Sequence, residues 1–116
     1  MSPATPTTPE TEGPLGTTLR IGTVRSCRPN EGATKPAYVL EIDLGPLGVV
    51  ISSAQLVARH TPEALVGRQV VVAMDLGTRT IAGVRSEVLV LGAATKDGSI
   101  TLLGPKTRVP DGSLVH

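Results

Sequence analysis

The sequence predicts an all-β domain, and three observations carry that expectation. The 116-residue chain is 40% apolar yet lacks Phe and Trp, and its single aromatic is Tyr38. Its core must therefore be built from Val, Leu, Ile and Ala, and β-branched aliphatic types favour packed strands over long helices. Its 13 Gly and 10 Pro fall between apolar stretches as punctuation, which suits short strands joined by tight turns. Tyr38, Leu40, Ile42 and Leu44 alternate with Val39, Glu41 and Asp43, the period of a half-buried strand. A chain of this length has room for one core and none for a separate catalytic domain.

Residues 1–18 are rich in Pro and Thr and cannot bury enough surface to order themselves. They are expected to be a disordered tail ahead of a folded body at residues 19–116. They hold no apolar run fit for a signal-peptide core. Nowhere does the chain approach the roughly 18 apolar residues that span a bilayer. The expectation is a soluble, cytoplasmic protein that does not insert into membranes.

The first strand spans Leu19 to Cys27. Its apolar phase falls on Leu19 and Ile21 and slips at Gly22 to reach Val24, which predicts a bulge or a sharp coil of a long strand at the glycine. RPNEGATKP follows as a loop of turn formers, and the alternating strand from Tyr38 comes next. Gly45, Pro46 and Gly48 then make a tight connection to a third strand, Val49 to Ser52, giving a hairpin. Within Thr61 to Gly67, Thr suits the N-cap, Pro the first helical position, Glu63 the positive helix end and Gly the stop, which predicts one short helix. Gln69 to Met74 and Glu87 to Leu91 are nearly continuous apolar runs, and such strands are covered on both faces. In so small a chain the outer cover is expected to be a second copy, with Val88, Val90, Ile100, Leu102 and Val109 in the homodimer interface. Asp97-Gly98, between GAATK and SITLL, is a strong hairpin signal. Three strands, a helix and two strands is the OB order, a five-stranded Greek-key barrel, here with a C-terminal hairpin extension.

The charged residues are nearly balanced at a net +1, far from the footprint of a dedicated nucleic-acid binder. A single cysteine excludes an internal disulfide framework and a cysteine-based zinc site. Cys27 is read as a small buried hydrophobe rather than a reactive thiol. His60 and His116 lack metal-ligand spacing and are expected to be solvent-exposed bystanders. Ser52 and Ser53 have no nucleophile elbow around them, and no glycine-rich phosphate loop is present. No enzyme, metal or cofactor is expected. Arg25, Arg28 and Lys35 surround the first loop, either as a charged strand edge or as a weak basic rim facing acidic groups or phosphates such as those of RNA. One tyrosine is a poor stacking platform for single strands.

KPAYVLEIDLGPLGVVISSAQL, then TPEALVGRQVVVAMDL, then IAGVRSEVLVLG resemble the CsaA-type export chaperones. These are small relatives of the tRNA-binding (EMAP-like) OB-fold domain appended to methionyl-tRNA synthetases. The likeness runs from about Leu19 to Val115, with LVGRQVVV and SEVLVLG pointing to the wider group and KPAY, DLGPLG and SSAQ to the chaperone branch. The resemblance implies a homodimer that binds unfolded precursor proteins without ATP for Sec-dependent export and meets the Sec motor ATPase. It carries over Ser52, Ser53, Ala54 and Gln55 as a polar strip, with Ser86 and Glu87 from the last block. Ser53 and Gln55 are assigned to peptide backbone, and Ile51, Leu56 and Val84 to apolar contact. Glu87 has an alternative role, bonding the backbone of the preceding loop. Relatives often carry Lys or Arg where this chain has Val50 and Ile51, and aromatic residues where it has His60 and Leu76-Gly77. The alternative function is that of a stand-alone tRNA-binding accessory protein, with weak tRNA contact.

Overall fold

The computed structural model describes residues 14–81 and 83–116. The expected tail lies outside the described residues up to residue 13. Its last members are engaged: the Asp75 carboxylate accepts the Thr17 hydroxyl and the Thr18 N–H. The strands are β1 (Leu19–Pro29), β2 (Tyr38–Asp43), β3 (Val49–Ala54), β4 (Gln69–Ala73), β5 (Arg79–Ile81), β6 (Val84–Ser86), β7 (Leu89–Val90), β8 (Gly92–Ala94) and β9 (Ile100–Leu102), with a helix α1 (Pro62–Leu65) between β3 and β4. Five strands form one antiparallel sheet in the order β3-β2-β1-β4-β7, nearly closed into a barrel. β5–β6 and β8–β9 are separate two-stranded ribbons.

β1 is long because it serves two neighbours. Its first half pairs with β4, from Leu19↔Ala73 to Thr23↔Gln69. Its second half pairs with β2, from Thr23↔Asp43 to Pro29↔Tyr38. The register shift lies between Val24 and Ser26, not at Gly22 as the phase change suggested. One extra residue there places Val24 opposite Ile42 and Cys27 opposite Leu40, so side chains three positions apart both meet the core. Gly22 is needed for another reason: an added Cβ would lie 2.5 Å from Ile42 Cγ2 and 2.8 Å from Leu44 Cδ2. The apparent slip in β1 came from an inward glycine beside outward residues, Leu19 and Ile21, that are themselves largely covered.

β2 and β3 form the expected hairpin through a 3₁₀ turn at Gly45–Leu47. Asp43 accepts the Gly45 N–H at 2.8 Å, and Gly48 takes φ +88°. In α1 the Thr61 hydroxyl accepts the Ala64 N–H and Pro62 occupies the first turn, while the fully buried Leu65 joins the core. That core is aliphatic, with Val24, Leu40, Ile42, Leu44, Leu65, Val70 and Val72 wholly enclosed. Tyr38 is buried too and donates its hydroxyl to the His60 carbonyl at 2.8 Å.

Two expectations are corrected here. The fifth barrel strand is only Leu89–Val90, because the chain leaves the sheet after Leu91, whose N–H still donates to Val71 O at 2.9 Å, to start the β8–β9 ribbon. Within it, Val90 is buried and Leu89 is 49% exposed in the single chain. Val88 and Leu102 are also buried within the single chain, whereas Ile100 and Val109 are half-buried. His60 is buried, with Nδ1 3.2 Å from the Leu56 carbonyl, because the turn after β3 folds it against the barrel. Among the described residues no helix is long and apolar enough to cross a membrane.

The C-terminal segment crosses the barrel and is fixed to it. The Gln69 amide donates to the Val109 carbonyl at 2.7 Å and accepts the Val109 N–H at 3.0 Å, as a strand neighbour would. Further on, the Ile21 N–H donates to Ser113 O, the Gly112 N–H to Ile21 O and the Val115 N–H to Leu19 O. The segment thereby pairs the part of β1 that β2 does not reach.

Candidate functional site

β3 is the edge strand of the sheet, and an open edge presents unpaired N–H and C=O groups. Here residues 86–88 close it. The Glu87 N–H donates to Ile51 O at 2.7 Å, and the Ile51 N–H donates back to the Glu87 carboxylate at 2.9 Å. Two positions along, the Ser53 N–H donates to Ser86 Oγ at 3.0 Å, and Ser86 Oγ–H donates to Val88 O at 3.3 Å. Ser86 and Glu87 thus act on β3 as substitutes for a sixth strand. The backbone that Glu87 bonds belongs to β3, not to the preceding loop.

Strand alternation divides the polar strip. Ser52 points into the barrel, fully enclosed, with no hydrogen-bond partner for its hydroxyl among the described residues. Ser53 points the other way, where its Oγ accepts from the Asn30 side-chain amide at 3.3 Å. Gln55 is exposed just past the strand end, and its amide has no intramolecular partner among the described residues. Four adjoining recesses, about 400, 390, 210 and 410 Å³ in volume, surround Ser53 and Gln55. The first lies under the β1–β2 loop at Gly32–Lys35 and reaches Ile81. The second extends over Val57 to Ser99 and Ile100. The third lies among Leu76, Arg79, Ile81 and Leu89, and the fourth between Ala54 and Leu91. Together they form an open trough of mostly aliphatic wall with small polar groups on its floor.

Of the residues expected to contact peptide, Ser53, Ala54, Gln55, Leu56 and Ser86 border these recesses. Ile51, Ser52, Val84 and Glu87 do not line them. Among the three basic residues singled out, only Lys35 reaches the trough, while Arg25 and Arg28 are exposed on β1.

Sequence reasoning missed the β5–β6 ribbon, which supplies Arg79 and Ile81. Its usable signal was the glycine of the connecting turn, since Gly83 takes φ +80°. It also missed Asn30. This buried side chain donates to Ser53 Oγ and, at 3.1 Å, to the Ile81 carbonyl, tying the first loop, β3 and the ribbon together.

Burial, and after it the Glu63 carboxylate, pushes the Cys27 thiol above its ordinary range, which disfavours the reactive thiolate. No group of three or more His, Cys, Asp or Glu among the described residues could hold a metal. The trough offers apolar contact from its aliphatic wall and hydrogen-bonding groups at Gln55 and the Ser53 hydroxyl.

Comparison with known proteins adds three findings. The family model described as "Putative tRNA binding domain" matches residues 19–114. The chain is similar to the crystal structure of chaperone CsaA from Bacillus anthracis, at 42% identity and a TM-score of 0.82, over 88% of this chain and 93% of that one. It is also similar to the CsaA chaperone protein from Picrophilus torridus, at 34% identity and a TM-score of 0.79, over 86% and 92%. The curated relatives include a methionine-tRNA ligase from Leptospira biflexa, 36% identical over 97 residues that are 84% of this chain. The match spans only 14% of that ligase.

Proposed function

The chain belongs to the tRNA-binding-domain family, and from that premise we propose that it captures unfolded stretches of precursor proteins without ATP. One observation carries this reading: the trough on the β3 side offers exposed aliphatic side chains around two small uncharged polar groups, Ser53 and Gln55. Burying apolar surface there contributes on the order of 25 cal/mol per Å². That force has no directional demand, so many client sequences fit. Side-chain hydroxyl and amide groups meet the client's backbone, as extended-peptide recognition requires. Likeness to two CsaA chaperones over nearly their whole length supports the same reading. In it the chain works in the cytoplasm, as a homodimer, handing precursors to the Sec motor ATPase.

The second reading is tRNA binding, favoured by the description of the family model and by the ligase relatives. Arg25, Arg28 and Lys35 would then face phosphate. The one aromatic side chain, Tyr38, is buried with its hydroxyl engaged, so no aromatic platform is open to bases. The test is a salt titration of binding to a denatured client and to bulk tRNA, side by side. Apolar capture holds or strengthens as salt rises, whereas phosphate contact falls steeply. Client binding that survives salt supports the proposal. Tight, salt-sensitive tRNA binding with no client binding replaces it.

A further inference from the structure

We infer that the trough favours apolar segments flanked by acidic side chains over those flanked by basic ones. This deepens the peptide-capture reading and rests on it. The charged side chains that line the four recesses are Lys35, which borders two of them, and Arg79. No carboxylate lines any of the four.

The acids nearest in sequence to the lining are engaged elsewhere or stand outside it. Glu87 accepts the Ile51 N–H. Asp97, in the β8–β9 turn, accepts both the Ser99 N–H and the Ser99 hydroxyl and lies 3.8 Å from Arg59. Glu31 is exposed beside Gly32 but is no part of the wall. Lys35 and Arg79 have no ion-pair partner among the described residues. They stand in adjoining recesses that share Ser53 and Ile81, so an extended client crossing Ser53 meets one cation in each recess. Opposite charges at its ends are attracted and like charges repelled.

The test uses three labelled peptides with one common Leu/Val/Ser centre and either two Glu, two Gln or two Lys at each end, titrated by fluorescence anisotropy against the full chain. Exposed ion pairs are individually weak, so two of them are expected to make the Glu-flanked peptide bind about fivefold tighter than the Lys-flanked one at low salt. That ratio should collapse toward unity at high salt, while the Gln-flanked peptide keeps its affinity. A K35E/R79E double variant should reverse the order, its fold being checked by circular dichroism. Equal affinities, or a Lys preference in the unaltered chain, overturn the inference and leave peptide capture standing. Failure of all three peptides to bind overturns peptide capture itself. Bulk tRNA, as a fourth ligand, overturns the assignment in favour of a nucleic-acid groove if it binds tighter than every peptide and is lost in K35E/R79E.

Discussion

Asn30→Ala is the substitution that most directly connects the stability of this fold to its site. The Asn30 amide nitrogen reaches Ser53 Oγ at 3.3 Å and the Ile81 carbonyl at 3.1 Å from a largely buried position. Truncation removes both bonds and leaves a small void under the β1–β2 loop. A typical hydrogen bond contributes a net 0.5–1.5 kcal/mol, and more is lost when a buried partner stays unpaired. Ser53 Oγ can reorient, and Ile81 is exposed enough to find water. The expected loss is therefore about 1–2 kcal/mol, which for a slope near 1–1.5 kcal/mol/M lowers the urea midpoint by roughly 1 M. The loss should be local as well as global. Amides of residues 79–86 should exchange with deuterium faster in the variant, because the β5–β6 ribbon is then attached chiefly through Ser86. An unchanged midpoint together with unchanged exchange in that ribbon would refute the assignment of Asn30 as its tether.

Three other predictions address the remaining parts of the fold. Gly22→Val places atoms where Ile42 Cγ2 and Leu44 Cδ2 already stand, so a loss of about 1–3 kcal/mol is expected in chemical denaturation. A neutral result would show that the barrel wall yields there. Asp75 has its carboxyl held below the usual range, first by the Thr17 hydroxyl and then by the Thr18 N–H. A carboxylate depressed in the folded state stabilises above its unfolded pKa of about 3.9 and loses that effect as pH falls through the folded value. Asp75→Asn should thus flatten the acid limb of the stability curve below about pH 4, and a limb identical to the unaltered chain contradicts this. Leu89→Asp and Val90→Asp should part company. The first keeps the thermal midpoint, because Leu89 is about half exposed on the trough wall, and the second unfolds the chain, since an unpaired buried charge costs several kcal/mol. Equal behaviour of the two would contradict the burial pattern of β7.

The strand order could be read from the sequence because local chemistry and tertiary fold agree along most of this chain. Thr61, Pro62 and Gly67 bracket a helix, and Asp97-Gly98 turns the β8–β9 ribbon where expected. The bulge was misplaced because Gly22 marks close packing, and the residue actually left unpaired, Arg25, carries no local signal. His60 looked free because its burial depends on the turn at residues 56–60, which alternation does not describe. The polar strip was recognised as a unit, yet strand pleating sends Ser52 inward and Ser53 outward. Ser86 and Glu87 were legible as important residues, but not as the partners of the β3 edge. Such pairing between residues more than thirty positions apart leaves no trace in local sequence.

The most direct measurement is a map of backbone amide shifts in ¹H–¹⁵N spectra as an uncharged, extended Leu/Val/Ser peptide is added. Capture in the trough predicts the largest changes at Ser53, Gln55, Ile81 and Leu89, with the Gln55 side-chain amide moving alongside them. Changes confined to β1 and the C-terminal segment, or none at saturating peptide, would contradict it.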